Sequence, residues 1–277
     1  MPFWCGSWYD KVRINRGLSS NSVITNMIND VLRQELKRYA AMYETEAFLQ
    51  GDPSWFMHQV EGSANQEATA FVASCLSYGS RKQFMPKIQW LLDCAHHEMD
   101  TWVREGAFEA ALPAEGCGCF YRLNTVGQMN AFLSSYRRLL LEHGTLGAYV
   151  KQHASDGLSA VEAICGYFAG EGIGSLVPHD ARSACKRVCM FLRWMVRSGS
   201  PVDLGLWADF IDRRTLIMPL DTHVLAESQR LGLLKSSSAT MTAARRLTQS
   251  MLQVFPTDPL KADFALFGYG VRQQDVQ

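Results

Sequence analysis

The chain has 277 residues, 47% hydrophobic and 19% charged, with 27 basic and 27 acidic side chains and a formal net charge of zero. That length supports a sizeable core, and the composition excludes a disordered or low-complexity chain except at the first and last few residues. Neutrality excludes a global field that would gather a polyanion, so nucleic-acid binding would need a local basic patch.

The opening MPFWCGSWYDKVRINRG has no apolar stretch of signal-peptide length. No later stretch approaches the roughly 18 uninterrupted apolar residues of a membrane span. A soluble cytoplasmic protein without membrane contact is expected. Helical periodicity then dominates. In SNSVITNMINDVLRQELKRYAAMYETEAFL, apolar residues recur at Val23, Met27, Val31, Leu32, Leu36 and Tyr39. This predicts an N-terminal helical segment (1–50) packed on the core formed by 51–277. QEATAFVASCLSYGSRKQF reads as a very apolar helix up to Tyr78, a Gly79-Ser80 break, and a second helix from Arg81.

A connection from about Gly106 to Gly118 leads to TVGQMNAFLSSYRRLLLEHGTLGAYV and LSAVEAICGYFAG, both helical in pattern. The loop GEGIGSLVPHD closes on Asp180, an acceptable N-cap for ARSACKRVCMFLRWMVRSG. Further helices are predicted over Leu204–Ile211, Thr222–Leu231, Thr240–Val254 and Leu260–Phe267, with two lobes meeting near 155–175. No strand is convincing, and the fold class expected is all-α, in a monomer.

Eight cysteines, at positions 5, 75, 94, 117, 119, 165, 185 and 189, lie mostly in apolar helical patterns and read as buried free thiols. Cys117 and Cys119 are too close for paired zinc-ligand spacing, so no metal is expected there. Turning each residue by 100° places Arg182, Lys186, Arg193 and Arg197 within about 60° of one another, while Phe191, Trp194 and their apolar neighbours take the rest of the helix. That stripe is either a solvated edge whose basic stems cover apolar surface or a surface facing an anion. Burial beside other cations would favour the neutral, nucleophilic form of the Lys186 amine. Its natural companion is a carboxylate from another helix. Asp221, in MPLDTHVLAESQRLGLL, is that candidate, and it is also an N-cap for a helix starting at Thr222. His223 reads as a structural histidine, and Phe191, Trp194 and Trp207 as core.

PLDTHV followed by a helix ending RLGLL resembles the second half of the signature of the helix-hairpin-helix DNA glycosylases, of which endonuclease III is one type. SACKRVCMFL resembles the start of the second helix of their hairpin, where lyase-active members carry a lysine. FVASCLSYGSRKQF and DPLKADFALFGYGV resemble their early DNA-facing turn and their closing helix, so the resemblance spans roughly Asp52 to Val271. The same blocks are similar to an uncharacterised bacterial family of this length. The resemblance implies two helical lobes around a cleft, a double-stranded DNA partner, and action at the nucleoid. It implies Lys186 and Asp221 as catalytic residues for base excision with lyase activity. DNA contacts would come from Ser80, Arg81, Lys82, Gln83, Arg182, Arg187 and Arg193, with Tyr78 as a wedge in the base stack.

Three departures stand against the pattern. GEGIG ends at Gly174, twelve residues before Lys186, where the usual hairpin glycines immediately precede the lysine. Lys186 and Asp221 are 35 residues apart, nearer the archaeal 8-oxoguanine glycosylase branch than endonuclease III. The C-terminal cluster cysteines are missing, so no iron–sulfur cluster and no other cofactor is expected. Two rival readings follow. One is a nucleic-acid-binding protein of the same fold without chemistry. The other is a metal-dependent phosphohydrolase built on His179-Asp180 with His96, His97, Asp100 and Asp221, where His96 and Asp100 would share a helical face.

Overall fold

The computed structural model describes residues 28–274. Val23, Met27 and Cys5 therefore lie outside the described residues. The chain is mostly helical. In order it forms α1 (Asp30–Tyr43), α2 (Ser63–Leu76), α3 (Arg81–Cys94), α4 (Met99–Glu105), α5 (Val126–His143), α6 (Leu146–His153), α7 (Gly157–Phe168), α8 (Lys186–Val196), α9 (Thr222–Arg230), α10 (Met241–Met251) and α11 (Lys261–Gln274). Between α4 and α5 lies a small antiparallel hairpin, β1 (Cys119–Tyr121) and β2 (Asn124–Thr125). Its turn, Arg122-Leu123, carries none of the glycine or asparagine that normally announces a hairpin, and Arg122 takes up the positive φ itself. No helix among the described residues is long and apolar enough to cross a membrane.

Side-chain caps set several helix starts. Thr125 and Gln128 form a reciprocal capping box at α5, and Asp156 with Ser159 does the same at α7. The apolar run after Gly118 is cut at Gly144, where φ is +84°, and Thr145 caps the new helix α6 through the Ala148 N–H.

The centre of the molecule is the crossing of α2 and α8. From Glu67 to Leu76 and from Val188 to Val196 every side chain is buried, because these helices are covered all round and are apolar apart from Glu67, Thr69, Ser74 and Arg193. Phe71 touches Phe132, Tyr136, Phe168 and Phe191 with ring centroids 5.0–5.6 Å apart, so one residue of α2 joins α5, α7 and α8. Each such pair adds about 0.5–1.5 kcal/mol beyond burial alone. Phe191, Trp194 and Trp207 are core residues as predicted. On the far side α1 lies along α11, with Tyr39 and Tyr269 4.2 Å apart. Val31 faces solvent, 58% exposed, so the inner face of α1 is Leu36, Tyr39 and Ala40.

Two expectations are corrected. The segment Leu204–Ile211 is not a helix. Its Leu204 and Gly205 N–H groups donate to the Trp194 carbonyl and its Trp207 N–H to the Met195 carbonyl, so its first amides satisfy the C-terminal carbonyls of α8 and only turns follow from Gly205 to Ile211. The cationic stripe also divides. Arg182 precedes the helix and is exposed, and Lys186 opens it. Arg193 and Arg197, 3% and 1% exposed, are neither a solvated edge nor an anion-facing surface. They enter a buried ionic network: Arg193 pairs with Asp203 and Asp263, and Arg197 with Asp203, Asp258 and Glu44.

Glu67 is a further buried charge, accepting from Trp207 Nε1 at 2.8 Å and from the Leu146 and Gly147 N–H groups at 2.8 and 3.1 Å. Burial pushes its carboxyl up to about 7, against the pull of these three donors. The folded state therefore holds this proton more tightly than the unfolded chain, where the ordinary value is 4.5. The resulting stability is fully present below pH 4.5 and is lost as pH rises through about 7. Urea unfolding at pH 4.5 and pH 7.5 should show wild type losing up to about 3 kcal/mol relative to Glu67→Gln over that interval. Parallel pH dependences for the two proteins would contradict this.

Candidate active site

The first residue of α8 and the cap of α9 meet. Lys186 Nζ lies 3.9 Å from Asp221 Oδ2, with the two side chains 32% and 34% exposed. Asp221 arrives there because Met218 and Leu220 are buried and the Met218 N–H donates to Thr248 Oγ1 at 2.9 Å, which anchors the strand-like approach to α9. Its Oδ1 accepts the Val224 N–H at 2.8 Å, the capping bond expected of it. Capping thus occupies one oxygen, and the other faces the lysine.

Lys186 is positioned by an unusual helix start. Cys185, the residue before it, sits at φ +45°, a left-handed conformation costly for a side chain bearing a Cβ. Its thiol donates to the Asp180 carbonyl at 3.3 Å, and a hydrogen bond from the Cys165 thiol holds it below the ordinary thiol range. Cys75 and Cys189 are pushed up by burial. The expectation of buried free thiols holds for Cys75, Cys165, Cys185 and Cys189, whereas Cys117 and Cys119 are exposed.

The end of the glycine loop between α7 and α8 docks on the hairpin. Gly170, Gly172 and Gly174 all adopt positive φ. The Ser175 N–H that follows is consumed by Asn124 Oδ1 at 3.2 Å, and a Cβ on Gly174 would sit 2.8 Å from that oxygen. Gly174 and Ser175 thus pack against Asn124 of the hairpin, while a Cβ on Gly170 or Gly172 would meet nothing within 4 Å.

The remaining sequence-predicted residues fall into two groups. Ser80, Arg81, Lys82 and Gln83 are exposed at the start of α3, with Arg81 bound to Asp52 at 3.4 Å and lying over the Phe267 ring of α11. Arg182 is exposed and bonds to Asp180 at 2.6 Å. Arg187 and Arg193 are committed elsewhere. Arg187 donates to the Cys75 and Ser175 carbonyls and lies 4.8 Å over the Tyr78 ring, and Arg193 belongs to the buried network. Tyr78 is not free to enter a base stack. It is half-buried, its hydroxyl accepts from Asn124 Nδ2 at 2.8 Å, and Arg122 and Arg187 both lie against its ring. The exposed apolar side chain at this rim is Leu123, 80% exposed at the hairpin tip, which sequence patterning did not single out. Gly79 makes that juxtaposition possible: a Cβ there would collide with the Arg122 guanidinium. His223, in the first turn of α9, is exposed.

The phosphohydrolase residues do not converge. His96 and His97 occupy left-handed turn positions between α3 and α4, so His96 and Asp100 do not share a helix face. Asp100 bonds to Arg104 and Asp180 to Arg182. No group of three or more His, Cys, Asp or Glu able to hold a metal ion occurs among the described residues.

Among known proteins, the model of a family described as "Protein of unknown function (DUF2400)" matches residues 52–272. No curated protein and no solved structure matches the chain.

Proposed function

Since the chain belongs to the family of proteins of unknown function DUF2400, whose description names no activity, we propose from the site itself that it is a base-excision DNA glycosylase with lyase chemistry. The observation that carries this reading is the Lys186–Asp221 pair, 3.9 Å apart and one-third exposed. An ion pair this exposed contributes under about 1 kcal/mol, so it adds little to a juxtaposition that packing around Met218 and Leu220 already sets. The order α7, loop, α8 opening on a lysine, then α9 capped by an aspartate, accords with the resemblance to the helix-hairpin-helix glycosylases and with their two-lobed architecture.

In this reading the damaged nucleotide is flipped from the duplex and Leu123, rather than Tyr78, fills the gap. Lys186 Nζ, as the free amine, attacks the sugar C1′. The C1′–N bond breaks and the base leaves with its electron pair, taking up a proton. Asp221 stabilises the positive charge that develops on the sugar, and loss of a proton from nitrogen with opening of the ring at O4′ gives the imine. Removal of a C2′ proton then expels the 3′ phosphate by β-elimination. Arg81, Lys82, Arg122 and Arg182 supply the local positive charge that the neutral chain needs for phosphates.

The test is borohydride trapping on duplexes containing 8-oxoguanine, uracil, thymine glycol or an abasic site. A covalent adduct is expected on at least one, and none with Lys186→Gln. Adducts with none of the four, or an undiminished adduct with Lys186→Gln, would overturn the reading. Salt-sensitive binding without an adduct would favour the non-catalytic nucleic-acid binder.

A further inference from the structure

The approach to the hairpin carries two exposed free thiols, Cys117 and Cys119, on either side of Gly118. The chain around them is pinned to the start of α5: the Gly127 and Val126 N–H groups donate to the Gly116 and Gly118 carbonyls at 2.7 and 2.9 Å. Gly116 is a glycine for want of space, since a Cβ there would lie 2.6 Å from Val126 Cγ1. Gly118 has no such reason. A Cβ on it would meet nothing within 4 Å, and its φ is not left-handed. What the glycine supplies is conformational freedom in the link between two sulfurs. Cα atoms two residues apart span at most about 7 Å when fully extended, and a disulfide needs about 4.4–6.8 Å. The chain bends at Gly118 rather than running straight, so closure asks for rotation of the two side chains and little else.

The Cys119 thiol also holds the hairpin tip, donating to the Arg122 carbonyl at 3.2 Å. Arg122 keeps φ at +51°, a conformation that persists only where the surroundings impose it, and its guanidinium against the Tyr78 ring is a second restraint. We propose that Cys117 and Cys119 are an oxidation site for peroxides, in which a disulfide closes across the Gly118 hinge, draws the Cys119 sulfur off the Arg122 carbonyl and loosens the tip that carries Leu123. Cys117, as its thiolate, attacks one oxygen of hydrogen peroxide. The O–O bond breaks, the Cys117 sulfur becomes a sulfenic acid, and the second oxygen leaves as hydroxide, which takes up the thiol proton to form water. The Cys119 sulfur then displaces the sulfenic hydroxyl, which leaves as a second water with the Cys119 proton. Two electrons pass from the sulfurs to the peroxide, and a dithiol reductant reverses the step. The oxidation stands independently of the glycosylase reading; its effect on DNA rests on that reading, in which Leu123 fills the gap.

Treatment of the full chain with a slight excess of hydrogen peroxide at neutral pH, then alkylation and peptide mapping by mass spectrometry, reads the bond directly. A peptide bridged between Cys117 and Cys119, lighter by two hydrogens, is expected, and dithiothreitol should restore it. The buried Cys75, Cys165 and Cys189 should remain thiols. In Cys119→Ser the reaction should stop at a sulfenic acid on Cys117, caught by dimedone. Gly118→Val, which nothing around the Cβ position opposes, should slow closure at least about threefold while both thiols of the reduced protein alkylate at the wild-type rate. Hydrogen exchange over the hairpin, residues 119–125, should quicken in the oxidised protein and recover on reduction. Oxidation that yields only sulfinic acids or bonds between molecules overturns the proposal, as does closure of Gly118→Val at the wild-type rate or a closed disulfide with unchanged exchange in the hairpin. If the bond forms and the tip loosens while wild type traps no DNA, the oxidation site stands and the glycosylase reading falls.

Discussion

Arg197→Met should destabilise the protein by about 3–5 kcal/mol, a large share of the roughly 5–15 kcal/mol that holds a domain folded. Arg197 is 1% exposed and donates from Nε to Asp258 at 2.9 Å, from Nη2 to Glu44 at 2.5 Å, and from Nη1 to Asp203. Methionine fills much of the same volume but leaves Asp258 without its bidentate partner and strips one of two guanidinium groups from Asp203. The cost is that of uncompensated buried carboxylates rather than of lost attraction. It should therefore shrink at acid pH, where Asp203, whose carboxyl is already pushed up by burial, takes up a proton. Urea unfolding at pH 7 and pH 5 measures both effects. A loss below 1 kcal/mol at pH 7, or one that grows at pH 5, would mean that the network is not what binds α8 to its surroundings.

The second large effect separates the two roles of one residue. Asp221→Asn keeps a side-chain oxygen for the Val224 N–H, and asparagine caps as well as aspartate, so folding stability should change by less than about 0.5 kcal/mol. The negative charge facing Lys186 is gone. Single-turnover base excision on the duplex identified by trapping should fall about 10²- to 10⁴-fold, the range for losing a positioned charge or proton-transfer group. Asp221→Ala should lose the same activity and also about 1 kcal/mol of stability from the missing cap. An Asp221→Asn protein with unchanged excision rate would leave Asp221 as a cap and nothing more.

Asp221 was legible as the cap of α9, but Lys186 was read inside a helix capped by Asp180, whereas α8 starts at Lys186 itself because Cys185 takes a left-handed conformation before it. The helices on either side of the Gly79-Ser80 break were legible from patterning, and α3 begins at Arg81 as predicted. What patterning missed depends on contacts between distant segments. Nothing in VDLGLWADFI indicates that its amides will be drawn to the carbonyls at the end of α8, and by spacing alone it reads as a helix. The burial of Arg193 and Arg197 was hidden because the four carboxylates that neutralise them come from the residue after α1, the loop after α8, the turn before α11 and α11 itself. Leu123 was invisible because a single leucine in YRLN has no periodic context, and its exposure follows only from the hairpin.

That network has a mechanical consequence for the pair. Helix α8 is buried on every side from Val188 onward and bolted at its far end to Glu44, Asp203, Asp258 and Asp263, so it behaves as a stator. Helix α9 has nine residues and buries only Val224, Leu225 and Ser228. Any change in the gap between amine and carboxylate is therefore cheapest when α9 travels and α8 stays. The lysine marks a fixed point in the molecule, and the aspartate is the part whose distance from it can be adjusted.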